Sequence, residues 1–187
     1  MTYETVIIGA WLVMLAVWFI GTFSAKRNVR SSGRFRFFAW RIVVIVVLIL
    51  VLRHTGDGYV LSEPLFLIQP MLGWLAALLT AIGVAYAIWA RLALGRNWSG
   101  YPTQKEEHEL VTNGPYAYVR HPIYTGIILA LFGSALSGET IAIVLFLILS
   151  VTFLLRMPKE ERIMLMLFPS QYPEYRKRTK RLIPFVW

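Results

Sequence analysis

Four long apolar blocks dominate the chain and restrict it to a small set of folds. Residues 5–25 contain 21 consecutive uncharged side chains, and residues 64–90 contain 27. Residues 42–52 are entirely apolar, and residues 37–40 extend that block across Arg41, whose side chain can reach the interface. The fourth block, residues 122–155, carries Glu139 as its one charge in 34 residues. Because about 20 apolar helical residues cross the hydrocarbon core of a bilayer, the pattern predicts an all-α integral membrane protein.

The fourth block is too long for one span at about 1.5 Å per residue. Residues 136–140 (Leu-Ser-Gly-Glu-Thr) supply a turn in its middle. The block therefore predicts a helical hairpin with legs of roughly 17 and 16 residues, and about five transmembrane helices in all. The alternative is four spans with a re-entrant hairpin. Residues 1–90 then form the first three spans, and residues 91–187 form a second half made of a loop, the hairpin at 122–155 and a polar segment.

The charges are distributed unevenly between the connections. The sequence has 57% hydrophobic residues and a formal net charge of +9. Five cations lie in residues 26–36, four in residues 91–120 and eight in residues 156–181. The connection after the second span has only Arg53, and the hairpin turn has none. The positive-inside rule then predicts an N-terminus outside and a C-terminus in the cytoplasm, in a multi-pass membrane protein.

Several function classes lack support in the sequence. Topology and anionic lipid headgroups explain the basic residues, so a nucleic-acid partner is not needed. The chain has no Cys, and its three histidines, His54, His108 and His121, lack the spacing of a metal site, so no metal is expected. No phosphate-binding loop, dinucleotide fingerprint or nucleophile elbow is present. Residues 5–25 lack a basic segment before them, which favours an uncleaved first span over a signal peptide.

A polar and aromatic segment precedes the fourth block. Residues 113–126 read NGPYAYVRHPIYTG. Pro122 favours the first turn of a helix, which places His121 near a helix cap at the membrane surface. The N–H groups and the positive dipole end of that helix favour an anion. The alternative is an ordinary interfacial belt of tyrosines at a helix start.

A second polar cluster follows the fourth block, at residues 156–162 (RMPKEER). Arg156 and Glu160 are four residues apart, so they face the same way if the helix persists past Pro158. Arg156 directly follows 16 uncharged residues, where desolvation strengthens its attraction for an anion. Glu160 and Glu161 are candidates to hold an amine or ribose hydroxyls. The alternative is a common helical ion pair that contributes a few tenths of a kcal/mol.

The second half of the chain resembles the isoprenylcysteine carboxyl methyltransferase family, integral-membrane enzymes that use S-adenosylmethionine. The resemblance covers residues 94–187 and rests on the order and spacing of several segments. These segments are GRNWS at 95–99, HELVT at 108–112, GPY to YTG at 114–126, Glu160-Glu161, the aromatic residues Phe168, Tyr172 and Tyr175, and RTKRLIPFVW at 178–187.

The resemblance implies roles at the matching positions. Arg156 would contact the substrate and act in catalysis. Glu160 would close the S-adenosylmethionine pocket. The other residues that would line this pocket on the cytoplasmic side are Gln104, His108, Glu109, Leu110, Val111, Tyr116, His121, Pro122, Ile123 and Tyr124. Eukaryotic members methylate the carboxylate of a prenylated cysteine, whereas this short form resembles prokaryotic members, so the acceptor is not carried over.

The chemistry favours a carboxylate acceptor on a lipophilic or prenylated molecule. A carboxylate is ionised at neutral pH and needs no general base, which suits a site built around an arginine. A lipid amine or a small thiol remains an alternative, and would need His121 or Glu161 to remove a proton. A non-catalytic scaffold or transport subunit is the alternative from another class. Transporters place polar residues at mid-membrane, whereas here the polar clusters lie at the interface.

Overall fold

The structure, a computed structural model, describes residues 2–23, 65, 69–95 and 109–187. Its helices are α1 (Tyr3–Phe23), α2 (Pro70–Leu94), α3 (Pro122–Ala135), α4 (Thr140–Leu167) and α5 (Gln171–Arg178), with a 3₁₀ turn (Gly114–Ala117) before α3. In these ranges β-type pairing is limited to isolated bridges, such as the parallel bridge between Val119 and Lys180. The all-α prediction is confirmed for the described residues, and the predicted span at 37–52 lies outside them.

Three of the described helices are long and apolar enough to cross a membrane, namely α1, α2 and α4. The shorter α3 is an apolar helix of 14 residues, about 21 Å long, against a hydrocarbon core of about 30 Å. The predicted hairpin turn is confirmed between Ala135 and Thr140, where Gly138 adopts a φ of 82°. That left-handed conformation suits glycine, which has no Cβ to clash.

The lengths of the two hairpin legs differ from the prediction, with 14 and 28 residues observed. The longer leg, α4, continues through Pro158, although proline removes one helical hydrogen bond. Met157 and Glu161 are buried on either side of the proline, so tertiary contacts stabilise this part of the helix. Arg156 and Glu160 therefore lie on one continuous helix, as the sequence required for them to meet.

The helix predicted from the block at 64–90 is shifted along the chain. It begins at Pro70, preceded by an extended Gln69, because proline is favoured at the first helical position. It continues past Arg91 to Leu94. The buried Arg91 guanidinium donates hydrogen bonds to the carbonyls of Gly21, at 2.9 Å, and Gly95, at 3.1 Å. The charge that ended the apolar run in the sequence therefore lies within the bundle and is bonded there through both terminal nitrogens of the guanidinium.

Helices α2 and α3 approach backbone to backbone in antiparallel orientation. A Cβ added at Gly126 would lie 2.6 Å from the Ala87 nitrogen and 2.6 Å from the Gly83 carbonyl oxygen. A Cβ at Gly133 would lie 2.5 Å from the Thr80 nitrogen. Small residues permit this approach and the close van der Waals packing that comes with it. Such packing drives the association of helices in lipid, where the hydrophobic effect does not.

Helix α1 packs on this pair and runs parallel to α2. Tyr3 lies against Gly73 near the start of α2, whereas Gly21 lies against Arg91 near its end. The buried Trp11 indole donates a hydrogen bond of 3.0 Å to the Ser134 hydroxyl on α3. Helices α1 and α2 correspond to the first and third predicted spans, which must cross the membrane in the same direction.

The cationic residues that the structure describes collect at one end of the bundle, which we call the basic end. Arg91 lies there at the end of α2, and Arg120 precedes α3. Because α4 is antiparallel to α3, Arg156 also lies near the start of α3, and Arg181 reaches the same place after α5. The two polar clusters, which 29 residues separate in the sequence, therefore meet at the basic end.

Candidate active site

The segment after α5 holds the start of α3 in place. Residues 118–121 and 180–181 pair side by side, with Lys180 N donating to Tyr118 O at 3.1 Å and Arg120 N donating to Lys180 O at 2.8 Å. His121 N donates to Arg181 O at 3.1 Å. His121 is the residue that precedes the helix, and its side chain makes no capping hydrogen bond, so its ring is available to the site.

Glu160 is the polar centre of the site. Its Oε1 accepts hydrogen bonds from the Tyr124 hydroxyl at 2.6 Å and from Arg156 Nε at 2.5 Å. Its Oε2 lies 3.7 Å from His121 Nδ1. Short charge-assisted hydrogen bonds of this kind fix the geometry of all partners. Glu160 therefore joins Arg156 on α4 to two residues at the start of α3.

Three aromatic rings form a stack beside this carboxylate. The Tyr124 ring lies 4.5 Å from the Phe153 ring, with 16° between their planes. The His121 ring lies 5.6 Å from the Tyr124 ring, with 4° between their planes. Stacking restrains the rings in rotation, so the Tyr124 hydroxyl and the His121 nitrogens are presented in defined directions.

Glu161 is a buried carboxylate that binds two arginines. Its Oε1 accepts hydrogen bonds from Arg120 Nε at 2.9 Å and from Arg181 Nε at 3.2 Å, and Arg181 Nη2 reaches Oε2 at 3.3 Å. Only 4% of the Glu161 side chain is exposed. Arg120 Nη1 also donates to the carbonyl of Thr179 at 2.5 Å. Glu161 thus ties α4 to the segment before α3 and to the segment after α5.

His121 lies between the two carboxylates. Its Nδ1 faces Glu160, and its Nε2 lies 3.5 Å from Glu161 Oε1. That Nε2 is buried and has no hydrogen-bond partner of acceptable geometry among the described residues. A buried polar atom in this state commonly marks a place where a ligand or water completes the hydrogen bonding.

Three buried tyrosines, Tyr116, Tyr172 and Tyr175, lie at the basic end. The Tyr175 hydroxyl on α5 donates a hydrogen bond of 2.8 Å to the carbonyl of Tyr116 in the 3₁₀ turn. Burial, followed by the proximity of Tyr175, raises the pKa of Tyr116 well above its usual range. Burial also raises the pKa values of Tyr172 and Tyr175. These phenols are therefore neutral at physiological pH, and the Tyr175 hydroxyl donates to the turn that precedes α3.

The structure brings together the central residues of the predicted site. His121, Tyr124, Arg156 and Glu160 form one connected group. Pro122 is buried in the first turn of α3, and Ile123 follows it, half-buried. Tyr116 is buried nearby, whereas no hydrogen bond or ion pair within the described ranges joins Glu109, Leu110 or Val111 to Glu160. Gln104 and His108 lie outside the described residues.

Sequence reasoning missed the roles of three residues. Arg120, Glu161 and Arg181 make the buried ion-pair cluster that supports the site, whereas Glu161 was expected to face a ligand. The available signal was the closing basic motif at 178–187, which the resemblance included without assigning it a role. A contact between residues 20 and 41 positions apart has no local pattern that predicts it.

The side chains of the site are of types that could hold S-adenosylmethionine, the cofactor that the resemblance implies. The site combines a buried nitrogen on His121, a partly exposed carboxylate on Glu160 and a stack of aromatic rings. Such groups match the hydroxyls, amine and planar base of that cofactor.

Comparison with known proteins points to one family. Residues 75–166 match the model of the Isoprenylcysteine carboxyl methyltransferase (ICMT) family, and the match includes α3, Arg156 and both glutamates of the site. Over this segment the chain is similar to that family. Protein-S-isoprenylcysteine O-methyltransferase of Schizosaccharomyces pombe is 36% identical over 101 residues, which are 52% of this chain and 43% of that protein.

Two further relatives are named as metal resistance proteins and not as methyltransferases. The Cobalt-zinc-cadmium resistance protein CzcN of Cupriavidus metallidurans is 32% identical over 156 residues, which are 81% of this chain and 64% of that protein. The Nickel-cobalt-cadmium resistance protein NccN of Alcaligenes xylosoxydans xylosoxydans is also 32% identical over 156 residues, 81% of this chain and 65% of that protein. The chain therefore spans less than two thirds of the length of each of these relatives. They agree with the prediction of a prokaryotic-type ICMT family member.

Proposed function

We propose that this protein is an S-adenosylmethionine-dependent membrane methyltransferase that methylates a carboxylate oxygen on a lipophilic acceptor. The observation that carries the proposal is the Glu160 carboxylate, which bonds Arg156 on one side and Tyr124 on the other. It connects the expected acceptor residue to the expected cofactor residues. The family match over residues 75–166 and a relative named as an O-methyltransferase support the reaction type.

The acceptor side is assigned to Arg156. Its side chain is one quarter exposed, at the point where the apolar run of α4 ends. Its Nε is bound to Glu160, which fixes the plane of the guanidinium. A guanidinium held in one plane is suited to the two oxygens of a carboxylate, and a lipid tail attached to that carboxylate would extend along the apolar surface of α4.

The cofactor side is assigned to the start of α3 and the segment before it. His121 and Tyr124 would contact S-adenosylmethionine, with Glu160 closing the pocket, and Gln104, His108, Glu109, Leu110, Val111, Tyr116, Pro122 and Ile123 would complete the lining. When bound, this cofactor supplies a methyl group that its sulfonium already activates. The residues of the chain then need to orient the acceptor and exclude water, which the apolar surroundings favour.

Membrane orientation supports separate entry routes for the two substrates. The cationic residues at the basic end favour a cytoplasmic location for that end under the positive-inside rule. A polar cofactor would enter from the cytoplasm, and a lipophilic acceptor would enter sideways from the bilayer. The names of the two resistance proteins do not designate a prenylated acceptor, so the acceptor panel includes lipid amines and small thiols as well as carboxylic acids.

Calorimetry with S-adenosylhomocysteine on the purified protein tests the cofactor assignment. We expect saturable binding, and His121→Ala and Glu160→Ala are each expected to weaken it by about 1–3 kcal/mol, since each leaves a polar partner unsatisfied. Arg162→Ala is a suitable control, because Arg162 is exposed on the same helix. The absence of binding by the folded wild-type protein would refute the proposed cofactor.

Methyl transfer from labelled S-adenosylmethionine tests the acceptor assignment. Arg156→Ala should lower transfer to a lipophilic carboxylic acid at least tenfold, in line with about 1.5–3 kcal/mol for a charged hydrogen bond. S-adenosylhomocysteine affinity should change much less. Arg156→Lys should recover little, because an ammonium does not reproduce the planar contact. Full activity in the lysine variant would show that Arg156 only anchors the helix, and would remove the main support for a carboxylate acceptor.

A further inference from the structure

The residues after α5 form a closed turn that we call the aromatic turn (residues 182–187). Leu182 N and Ile183 N both donate to Trp187 O at 2.8 Å, and Val186 N donates to Ile183 O at 3.1 Å. The Arg181 guanidinium lies 5.9 Å from the centre of the Trp187 ring, a cation–π contact that restrains the turn. The turn is therefore ordered by its own hydrogen bonds.

The aromatic turn exposes its large apolar side chains. Phe185 is 83% exposed and Val186 is 71% exposed, and Ile183 and Trp187 are exposed beside them. Phe185 adopts a φ of 66°, a left-handed conformation that is unfavourable for a residue with a Cβ. Its ring meets the exposed Tyr118 edge-on at 6.5 Å. The turn therefore presents several large apolar side chains at the surface of the described structure, a property typical of segments that contact an apolar partner.

Cationic residues surround this apolar surface. Residues 175–187 contain five cations and no acidic residue. Arg176, Lys177, Arg178 and Lys180 are exposed. Glu174 is the acidic residue just before them, and it is paired with Lys177 at 2.7 Å. Aromatic and aliphatic side chains beside exposed cations are the composition of segments that lie in an anionic membrane interface.

The aromatic turn also lies at the correct level for such an interface. The Thr125 hydroxyl in the first turn of α3 donates to the carbonyl of Leu182 at 2.8 Å. The backbone of Arg181 is paired with His121, the residue that precedes α3. The turn is thus fixed beside the point where the apolar hairpin begins, which is where the apolar length of the hairpin predicts the boundary between hydrocarbon and headgroups.

We infer that the aromatic turn inserts into the headgroup layer of the membrane that the helices span, with its neighbouring cations bound to anionic lipids. Ile183, Phe185, Val186 and Trp187 would lie among the upper acyl chains and glycerol groups. Arg176, Arg178 and Lys180 would contact the phosphates. This interface is separate from the acceptor and cofactor residues, so it does not depend on the proposed reaction.

Site-directed spin labelling tests the inference cleanly, because the chain has no Cys. Single labels are placed at Phe185→Cys, at Lys177→Cys on the exposed face of α5, and at Leu147→Cys on the exposed surface of α4. Each protein is studied as a monomer in nanodiscs of phosphatidylcholine with phosphatidylglycerol. Phe185 packs little, so its replacement should not disturb folding.

We expect the Phe185 label to collide more with oxygen than with a water-soluble nickel chelate, at a depth between the other two labels. The Lys177 label should respond mainly to the chelate, and the Leu147 label mainly to oxygen. A Phe185 label as accessible to the chelate as the Lys177 label would place the turn in water and overturn the inference. Protection from both reagents would also overturn it, because the turn would then be covered by protein.

The lipid dependence tests the anionic part of the inference. Replacing phosphatidylglycerol by phosphatidylcholine should raise the chelate accessibility of the Phe185 label severalfold. The same shift is expected in anionic nanodiscs when Arg178→Gln and Lys180→Gln are combined, since these side chains are exposed and make no ion pair within the described residues. No change in either experiment would show that the cations do not bind anionic headgroups.

Discussion

Replacing Glu161 by glutamine removes the charge that joins three separate parts of the chain. The carboxylate accepts two hydrogen bonds from Arg181 and one from the buried Arg120. Glutamine keeps the size of the side chain and one acceptor oxygen. Its amide group would instead present N–H donors to a guanidinium, which has no acceptor. The change therefore tests the ion pairs without creating a cavity.

The size of the effect follows from the burial of each partner. Breaking a buried ion pair by removing one member costs about 3–5 kcal/mol. Glu161→Gln should cost less, about 2 kcal/mol, because Arg120 keeps its bond to the carbonyl of Thr179 and glutamine keeps one oxygen. Arg181 is about one third exposed, so solvent screens its share. Glu161→Ala should reach the upper part of the range.

Amide hydrogen exchange measures the loss of stability at the backbone pairing that Glu161 supports. The amides of Arg120, His121 and Lys180 form the pairing between the segment before α3 and the segment after α5. A loss of about 2 kcal/mol should speed their exchange about 30-fold, at 1.36 kcal/mol for each factor of ten. Amides in the middle of α2 should be unaffected.

Glu174→Gln is the matched control on the neighbouring helix. Its carboxylate pairs with Lys177 in a largely exposed ion pair, with side chains 69% and 73% exposed. Exposed pairs contribute little, so exchange at the same amides should change by no more than about a factor of two. Equal exchange in Glu161→Gln and Glu174→Gln would refute the reasoning, because the backbone pairing would then hold the segment without the buried carboxylate.

Three further predictions test other contacts. Gly126→Val should prevent stable folding, because a Cβ there would lie 2.6 Å from the α2 backbone. Gly9→Ala is the control, since no atom lies within 4 Å of a Cβ at that position. Its thermal unfolding temperature should stay close to that of the wild-type protein. Tyr124→Phe keeps the ring stack but loses the hydroxyl bonded to Glu160, so calorimetry should show S-adenosylhomocysteine affinity falling about fivefold, near 1 kcal/mol; unchanged affinity would place Glu160 outside the cofactor pocket. A phosphatase reporter fused after Trp187 should be inactive if that end is cytoplasmic, and activity there would reverse the predicted orientation.

Much of the architecture could be predicted from one-dimensional properties of the sequence. Length and apolarity identify α1, α2 and α4, since burying helical backbone in lipid requires long uncharged segments. Gly138 marks the hairpin turn, and Pro122 marks the start of α3. The helix spacing of Arg156 and Glu160 predicts their contact. Helix boundaries were less accurate, because Arg91 and Pro158 read as terminators until their tertiary partners are known.

The tertiary structure decided which polar residues act together. Trp11 and Ser134 are 123 positions apart, and Arg120 meets Glu161 across 41 positions. It also decided that adjacent glutamates differ in role, since Glu160 faces the aromatic stack while Glu161 is buried between two arginines. Neighbours on a helix point about 100° apart, so one step along the chain reaches a different environment. The length of an apolar segment is a local property and can be read from the sequence. The pairing of charges depends on how segments distant in the sequence pack together.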